Sequence, residues 1–491
     1  MNTGHDSWPG FDEAWWKVRR MQTKLHEWSV RDPDRVFDDL YNLVYEPAFL
    51  VHAWERVHGN TGGRTAGVDG VAPRSLPRDS PALLTDLRSA LRDRTFRPAP
   101  VREKLIPKPG SPKKRRLGIP TTADRVVQAS LKLVLEPIFE ADFQPSSYGF
   151  RPRRRAQDAI AEIHHFATRG YHWVLEADIE ACFDRIDHTA LLDRVRGRIA
   201  DRRVLALIKA FLKAGLLSED GVDRDTHTGT PQGGILSPLL ANIALSVLDD
   251  HYQRVWDRFA QGTRFPQRRR MRFRRIGGAT YRVVRYADDF VVLVNGAQRR
   301  ADEARAVVAH VLAPIGLELS APKTRVVHID EGFDFLGWHI QRRTKAGSKR
   351  KVVYTYPSKQ SLHSIIGKVR HITRRSGSPY VSLEALLRHL NLVVRGWCQY
   401  FRHGVSSKTF GYLNHYTWHA VSRWIRARHP RLSWRILWRR FYTVTTPRRP
   451  EENRVVLYNP ESIAIERYRW RGYTIPTPWT RSIARPEAQL A

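Results

Sequence analysis

The sequence is poor in cysteine and has no long apolar run, and both shortages narrow the classes of protein to which it can belong. It contains two cysteines, Cys182 and Cys398, in 491 residues, which argues against a disulfide framework and against a cysteine-rich zinc site. The N-terminus has no signal-like apolar segment, and no stretch reaches the ~18 apolar residues that a membrane-spanning helix needs. We therefore expect a soluble, intracellular protein with no membrane partner.

Negative charge is also in short supply. Asp and Glu together number 49 against 83 Lys and Arg, which gives a formal net charge of +34. Hydrophobic residues make up 42% of the chain and aromatic residues 10%, as is typical of a folded protein and not of a disordered one. A positive excess of this size on a folded chain favours a polyanionic partner, and nucleic acid is the first candidate.

Two of the scarce acidic residues stand side by side in an apolar setting. Asp288 and Asp289 lie between residues 283–284 and 290–294, which predict two short strands joined by a tight turn. Adjacent carboxylates flanked by apolar strands repel each other and lose hydration unless a cation lies between them. A Mg²⁺ ion held by oxygen ligands would satisfy this pair, and a solvated Asp-Asp turn is the alternative.

A further carboxylate, Asp178, ends the predicted strand at residues 171–177. If that strand lies beside the Asp288–Asp289 turn, Asp178 supplies the additional ligand that two-metal phosphoryl transfer requires, with the ions about 4 Å apart. Phe183 follows five residues later and would be directed back over the site. Its alternative role is core packing, which the spacing alone favours.

Two other segments have the composition of nucleotide-binding loops. Lys108 and Arg115 belong to a basic turn between two predicted strands, which could clamp a triphosphate or remain a solvated loop. Gln232 and Gly233 precede a predicted helix that starts near Ser237. Glycine leaves room for a base or sugar to lie against the backbone, and an ordinary loop before a helix is the alternative.

Helical periodicity divides much of the remaining chain. It predicts a helix-rich region at 10–58 and helices at 123–136 (ended by Pro137), 201–215, 361–374, 382–403 and 408–429. The short links between the last three helices predict an antiparallel bundle. Residues 264–278 form a basic insertion of the kind that is usually mobile and binds phosphates without specificity.

In combination and order, these motifs resemble the reverse transcriptases. The series consists of Lys108 with Arg115, Asp178 with Phe183, Pro-Gln-Gly-Gly at 231–234, Tyr-Ala-Asp-Asp at 286–289, Lys323, and Phe-Leu-Gly at 335–337. Leu-Gly-Ile-Pro-Thr at 117–121, Ser-Tyr-Gly-Phe-Arg-Pro at 147–152 and Arg-Gly-Trp at 395–397 narrow the resemblance to the reverse transcriptase–maturases of bacterial group II introns. The resemblance covers about residues 35–445. Arg116 departs from it, because the family more often has proline there.

The resemblance implies an α+β fold, a right-hand polymerase whose fingers and palm contain an antiparallel palm sheet, followed by an α-helical thumb. The expected domains are a helical N-terminal extension at 1–100, with a template-gripping loop at 59–70, and the fingers and palm at 101–350. The thumb, or maturase (X) domain, follows at 351–440, and a basic nucleic-acid-binding segment at 441–491. No HNH endonuclease domain is expected, because residues 431–491 contain neither Cys nor His.

For function, the resemblance implies an RNA-directed DNA polymerase that also binds group II intron RNA, promotes its splicing and supports retrohoming into target DNA. The substrates are then an RNA template, a DNA primer and deoxynucleoside triphosphates, in the cytoplasm of a bacterium or at its nucleoid. Two Mg²⁺ ions are expected at Asp178, Asp288 and Asp289, with Lys323 as a further catalytic residue. Nucleotide contacts are expected from Lys108, Arg115, Phe183, Gln232, Gly233 and Tyr286, and nucleic-acid contacts from Arg64, Arg370, Arg374, Arg395 and Arg402.

Two other functions remain open from the sequence. One is an RNA-binding splicing cofactor whose polymerase is silent, although the intact Asp178, Asp288 and Asp289 count against it. The other is a reverse transcriptase of host defence or repair that acts without an intron. The flanking DNA distinguishes this last case, because a maturase gene lies inside a foldable intron RNA.

Overall fold

The computed structural model describes residues 8–107, 114–217, 223–224, 228–230, 233–374, 377–444, 448–472 and 474–480. The α-helices in these ranges are α1 Phe11–Arg31, α2 Tyr41–Val44, α3 Pro47–Gly59, α4 Pro81–Arg92, α5 Thr122–Asp142, α6 Ala156–Ala167, α7 Cys182–Arg185, α8 His188–Arg196, α9 Arg202–Leu212, α10 Ser237–Asp257, α11 Pro266–Arg275, α12 Gln298–Leu312, α13 Lys359–Ile372, α14 Leu383–Phe401, α15 Ser407–Arg428 and α16 Trp434–Phe441.

The strands are β1 Val101–Pro107, β2 Lys114–Ile119, β3 Trp173–Ala177, β4 Leu216–Leu217, β5 Asp223–Arg224, β6 Thr280–Tyr286, β7 Asp289–Asn295, β8 Arg325–His328, β9 Phe333–Phe335, β10 Trp338–Thr344, β11 Lys351–Pro357, β12 Glu451–Glu452 and β13 Val455–Val456. Short 3₁₀ turns lie at Thr61–Arg64, Pro73–Ser75, Ala313–Ile315, Ala321–Lys323 and Pro460–Ser462. Helices and strands alternate in short groups along the chain, and every described strand pair except β1–β4 is antiparallel, as expected for the α+β class.

The central sheet has the strand order β6-β7-β3-β8, and each neighbouring pair is antiparallel. Its side chains alternate between two buried cores, as the period of two along a strand requires. Val292 and Val294 of β7 join the core formed with helices α10 and α12, whereas Val291 and Leu293 join the core formed with α6. Apolar layers on both faces hold the sheet rigidly, so the loops at its edge have a fixed support.

The N-terminal helices pack on α5, which runs past the point where the sequence predicted its end. Pro137 lies inside α5, so the prediction that the helix stops there is wrong. Proline lacks the N–H that would bond the Leu133 carbonyl four residues back. The Gln22 amide of α1 supplies the missing donor, with its Nε2 2.8 Å from the Leu133 oxygen. A tertiary contact thus satisfies the group that proline leaves unpaired.

A small sheet with the order β2-β1-β4-β5 combines two strands that precede β3 in the chain with two that follow it. Strands β9, β10 and β11 form another sheet, which leads into the thumb. Helices α13, α14 and α15 pack together, and their bounds lie within two residues of the three predicted helices. Residues 266–275 of the basic insertion form helix α11, which was not predicted from the sequence. Pro266 begins α11, and the Arg270 guanidinium lies 4.1 Å from the Trp256 ring centroid, which attaches the helix to α10.

The last described stretch returns from the thumb to the N-terminal helices. Arg471 pairs with Asp158 of α6 at 2.7 Å, and the Trp479 indole donates to the Gln22 amide oxygen at 3.1 Å. Trp479 is buried, so this stretch packs on its own chain as well as carrying exposed basic residues. No helix in the described ranges has the length and apolar character needed to cross a membrane.

Candidate active site

The Asp288–Asp289 pair lies at the tip of a β-hairpin, as its sequence predicted. Strands β6 and β7 pair up to Tyr286 and Asp289, which leaves Ala287 and Asp288 as a two-residue turn. Ala287 has a φ of 59°, the left-handed value that the first central position of such a turn requires. The flanking strand residues are buried, so the turn presents its two carboxylates at the edge of a rigid sheet.

Strand β3 brings Asp178 to the same edge. It pairs with β7 in an antiparallel register in which Ala177 lies opposite Phe290. The next positions on the two strands are Asp178 and Asp289, so both carboxylates emerge together beyond the last paired residues. The Asp178 carbonyl accepts a hydrogen bond from the Ser320 N–H at 2.8 Å, which attaches the end of β3 to the segment before Lys323.

The electrostatics reflect this crowding. Burial raises the pKa of the Asp289 carboxyl to about 6, repulsion from Asp288 and Asp178 adds to the effect, and Lys323 and Arg115 oppose it. Burial also raises the pKa of Asp288, with a further contribution from Asp178. The Lys323 ammonium lies 2.5 Å from Asp178 Oδ2 and meets part of the excess negative charge. The site is a concentration of like charges that a cation stabilises.

The donor chemistry fits a divalent metal, although the side chains do not form a finished cage. In the described ranges, no three His, Cys, Asp or Glu residues are grouped closely enough to hold an ion by themselves. The carboxylates of Asp178, Asp288 and Asp289, which repel one another, nevertheless provide the hard oxygen ligands that Mg²⁺ prefers. Mg²⁺ ordinarily completes its shell with water and substrate phosphate oxygens, so an open, acidic edge suits it better than a closed cage.

The fingers sheet places Arg115 within electrostatic reach of Asp288 and Asp289, where burial raises the pKa of both carboxyls and the charge of Arg115 partly offsets that rise. Arg115 stands opposite Ile106 in the β1–β2 ladder and is exposed. Lys108 lies outside the described residues. Arg116, where the family more often has proline, points to Glu103, with its Nε 3.4 Å from the carboxylate.

Phe183 lies on the short helix α7, and Gly233 lies on the loop before α10. Phe183 is half-buried against the core, and its carbonyl accepts a hydrogen bond from Thr230 N–H at 2.6 Å, so α7 is attached to the segment before 231–234. Gly233 has a φ of 117°, and a Cβ there would lie 2.6 Å from the Gly118 carbonyl oxygen. Glycine is therefore needed for the loop to pack on the fingers. Gln232 lies outside the described residues.

The predicted nucleic-acid contacts have mixed surroundings. Arg64, Arg370 and Arg374 are exposed. Arg395 is also exposed and stacks over Tyr458, with its guanidinium carbon 5.2 Å from the ring centroid. Arg402 is engaged within the chain, 2.6 Å from a Glu466 carboxylate oxygen.

Tyr286 is half-buried and packs against the core that the palm shares with the thumb. The Tyr400 ring of α14 is its electrostatic neighbour, and the Tyr400 hydroxyl donates to the Leu336 carbonyl at 2.8 Å. The thumb therefore contacts the Phe-Leu-Gly motif at 335–337 through Leu336, and Tyr400 lies near the catalytic hairpin.

One part of the site was missed by sequence reasoning. Arg285, immediately before the Tyr-Ala-Asp-Asp motif, is wholly buried and bonds Asp249, Asn242, Ser147 and the carbonyl of Ala287. The signal that could have found it is a charged residue within an otherwise apolar strand, since a buried charge is retained only with partners.

Two family models match the chain. Residues 106–340 match "Reverse transcriptase (RNA-dependent DNA polymerase)", and residues 362–442 match "Group II intron, maturase-specific domain". The first contains the hairpin, Asp178 and the fingers strand of Arg115, and the second contains the three thumb helices. Their order along the chain agrees with the order of the palm and thumb in the fold.

Similar proteins extend over most of the chain. Protein YkfC of Escherichia coli (strain K12) is 34% identical over 374 residues, which cover 72% of this chain and 97% of that protein. Group II intron-encoded protein LtrA of Lactococcus lactis subsp. cremoris is 29% identical over 456 residues, which cover 79% of this chain and 74% of LtrA. A protein of Schizosaccharomyces pombe described as "Uncharacterized 91 kDa protein in cob intron" is 32% identical, over 67% of this chain and 45% of its own.

The polymerase match, the maturase match that follows it and the long relatives agree with the motif order and with the fold. The fingers–palm region and the thumb region therefore each match a family model of their own. The chain belongs to the reverse transcriptase–maturases encoded by group II introns, which are RNA-directed DNA polymerases with a role in splicing.

Proposed function

We propose that this protein copies RNA into DNA at the edge of the palm sheet, with Asp178, Asp288 and Asp289 as the ligands of two Mg²⁺ ions. The observation that carries the proposal is the register of β3 against β7, which brings a carboxylate from a separate strand to the tip of the hairpin. Asp178, Asp288 and Asp289 would hold the ions, which would lower the pKa of the primer 3′-hydroxyl and neutralise triphosphate charge.

The protein's own residues supply position and charge. The palm sheet fixes the carboxylates before substrate arrives, so little reorganisation accompanies the reaction. Arg115 on the fingers places a guanidinium beside the acidic edge, where it can bind triphosphate oxygens as the nucleotide enters. Lys323 adds a cation at the opposite carboxylate, near the leaving group. Lys108 and Gln232, outside the described residues, complete the proposed nucleotide contacts with Gly233 and Tyr286.

Phe183 is proposed to select deoxyribonucleotides. The ring belongs to the short helix α7, which starts four residues after Asp178, and the hydrogen bond from Thr230 N–H to the Phe183 carbonyl holds this helix in place. An aromatic ring fixed close to the metal site excludes a 2′-hydroxyl by steric clash, because selectivity is obtained when the wrong ligand meets a repulsive contact.

Intron RNA is proposed to bind across the thumb and the N-terminal extension. Arg370, Arg374 and Arg395 are exposed on the thumb, and Arg64 is exposed on the loop of the extension. These arginines suit phosphate contacts, which give affinity without sequence information and make it fall with salt. Retrohoming into target DNA belongs to this proposal, because it requires the intron ribonucleoprotein. We propose that this particle resides in the cytoplasm or at the nucleoid.

The experiment is primer extension by purified protein on an RNA template, compared with splicing of the intron transcript that surrounds the gene. Asp178→Asn is expected to abolish DNA synthesis, whereas replacement of Arg370 and Arg374 by Gln is expected to weaken RNA binding and to reduce the dependence of its affinity on salt. DNA synthesis by the Asp178→Asn variant at the wild-type rate would refute the metal assignment. A gene with no foldable intron RNA around it would favour a host defence or repair enzyme.

A further inference from the structure

Arg285 forms a buried anchor directly beneath the catalytic turn. Its side chain has no exposed surface, although it lies next to one of the most polar regions of the protein. A guanidinium carries five N–H donors in a rigid plane, and a buried donor without a partner is costly. At Arg285 each of the five donors has an acceptor.

The acceptors come from three parts of the chain. Nε lies 3.0 Å from Asp249 Oδ2, and one N–H of Nη2 points to the same carboxylate at 2.5 Å. The other N–H of Nη2 points to Ser147 Oγ at 2.8 Å. Nη1 donates to Asn242 Oδ1 at 2.9 Å and to the Ala287 carbonyl oxygen at 3.0 Å. Ala287 is the first residue of the turn that carries Asp288.

The acceptors other than the turn are themselves held firmly. Asp249 and Asn242 lie two turns apart on α10, both are buried, and Asn242 Nδ2 also donates to the Gly149 carbonyl at 2.9 Å. The loop of Gly149 packs against the turn from the other side, since a Cβ on Gly149 would lie 2.2 Å from the Ala287 nitrogen. The turn is therefore held between the Arg285 guanidinium, which is fixed by side chains of α10, and the glycine loop.

We propose that Arg285 is a positioning residue for polymerisation, because its bond to the Ala287 carbonyl fixes the turn and so sets how Asp288 and Asp289 approach Asp178. The inference rests on the proposed function, since it concerns the same carboxylates. Stability alone does not account for this arrangement. Replacement of a buried ion pair by apolar residues is often neutral or stabilising, so geometry is the property that only arginine supplies here.

The test separates positioning from folding by removing both charges at once. Arg285→Met combined with Asp249→Leu leaves no unpaired buried charge, but it deletes the donor to the Ala287 carbonyl. We expect the free energy of unfolding and the RNA affinity to stay close to wild type. The kcat should fall by about 10- to 100-fold, and the KM for deoxynucleotide should change little. Mn²⁺ binding to the protein–primer–template complex, measured by electron paramagnetic resonance, should weaken by a similar factor.

The matched control is the neighbouring buried ion pair on the same strand. Arg282 Nε lies 2.7 Å from Glu162 Oε1, and that contact is not to the turn. Arg282→Met with Glu162→Gln, which retains an acceptor for the Tyr148 hydroxyl, should leave kcat and Mn²⁺ affinity near wild type. Equal losses in both double variants would refute the inference, because they would show a general effect of disturbing the palm.

Arg285→Lys decides the question if the first double variant does not fold. Lysine preserves the charge opposite Asp249 but offers three donors from a single nitrogen, so it cannot serve all the acceptors. The same loss of kcat and Mn²⁺ affinity is expected in a folded protein. Wild-type kcat and Mn²⁺ affinity in Arg285→Lys would overturn the positioning role alone. An Asp288→Asn variant that still made DNA would overturn the proposed function instead.

Discussion

Replacement of Asp289 by asparagine should stabilise the metal-free protein while it removes polymerase activity. The pKa of Asp289 rises from 3.8 to about 6 on folding, because burial and the neighbouring carboxylates disfavour its charge. A shift of about two units corresponds to an upper bound of about 3 kcal/mol of lost stability. Asp289 is nevertheless exposed at the tip of the hairpin. Solvent and salt therefore screen the repulsion, and the expected gain for Asp289→Asn is about 1 kcal/mol.

The pH dependence gives the sign of the effect. The unfolded chain releases the Asp289 proton near pH 4, whereas the folded protein holds it up to about pH 6. The charge therefore penalises the folded state increasingly between these values and fully above them. Compared with wild type, Asp289→Asn should be more stable at pH 8, show about half that gain near pH 5, and show only about a fifth of it at pH 4.

The assay is urea unfolding in EDTA at several pH values, followed by the same series in Mg²⁺. Mg²⁺ should stabilise the wild type more than Asp289→Asn, because a ligand stabilises the state that binds it. Asp302→Asn, which removes an exposed carboxylate from α12, is the matched control for loss of one negative charge. An Asp289→Asn protein no more stable at pH 8 than wild type or this control would refute the electrostatic reasoning.

Three further predictions concern Phe183, Gly149 and Arg471. Phe183→Val should raise ribonucleotide incorporation with little loss of deoxynucleotide use, and unchanged sugar selectivity in a competition assay would assign the ring to the core alone. Gly149→Ala should reduce kcat by about 10-fold or more at nearly wild-type RNA affinity, because the added Cβ would lie only 2.2 Å from the Ala287 nitrogen and would push the turn out of place. Arg471→Gln should lower the free energy of unfolding by about 1 kcal/mol, because the ion pair with Asp158 is lost. An unchanged urea midpoint would contradict that structural role.

Much of the catalytic edge was predictable because its residues are specified by local patterns. Short continuous apolar runs at 283–284 and 290–294 identify β6 and β7, and the position of Asp288 between them identifies the turn. The thumb helices were equally accessible, since α13, α14 and α15 have regular apolar spacing and short links.

What could not be predicted depends on contacts between distant segments. Nothing local indicates that Asp249, 36 positions before Arg285, is the partner of that guanidinium. Pro137 was wrongly taken as a helix end because the compensating donor, Gln22, lies more than 100 residues away. The composition of 441–491 suggested nucleic-acid binding, which stays a prediction, but the packing of Arg471 on α6 and of Trp479 on α1 follows only from the folded chain.

The most direct test of the central claim compares two activities of one variant. Asp288→Asn should make no detectable DNA on an RNA template with a DNA primer, because it removes a metal ligand from the palm edge. The same protein should still bind the intron RNA and support its splicing, since those contacts are spread over a basic surface elsewhere. DNA synthesis near the wild-type rate, or loss of splicing together with synthesis in a fully folded protein, would contradict the account.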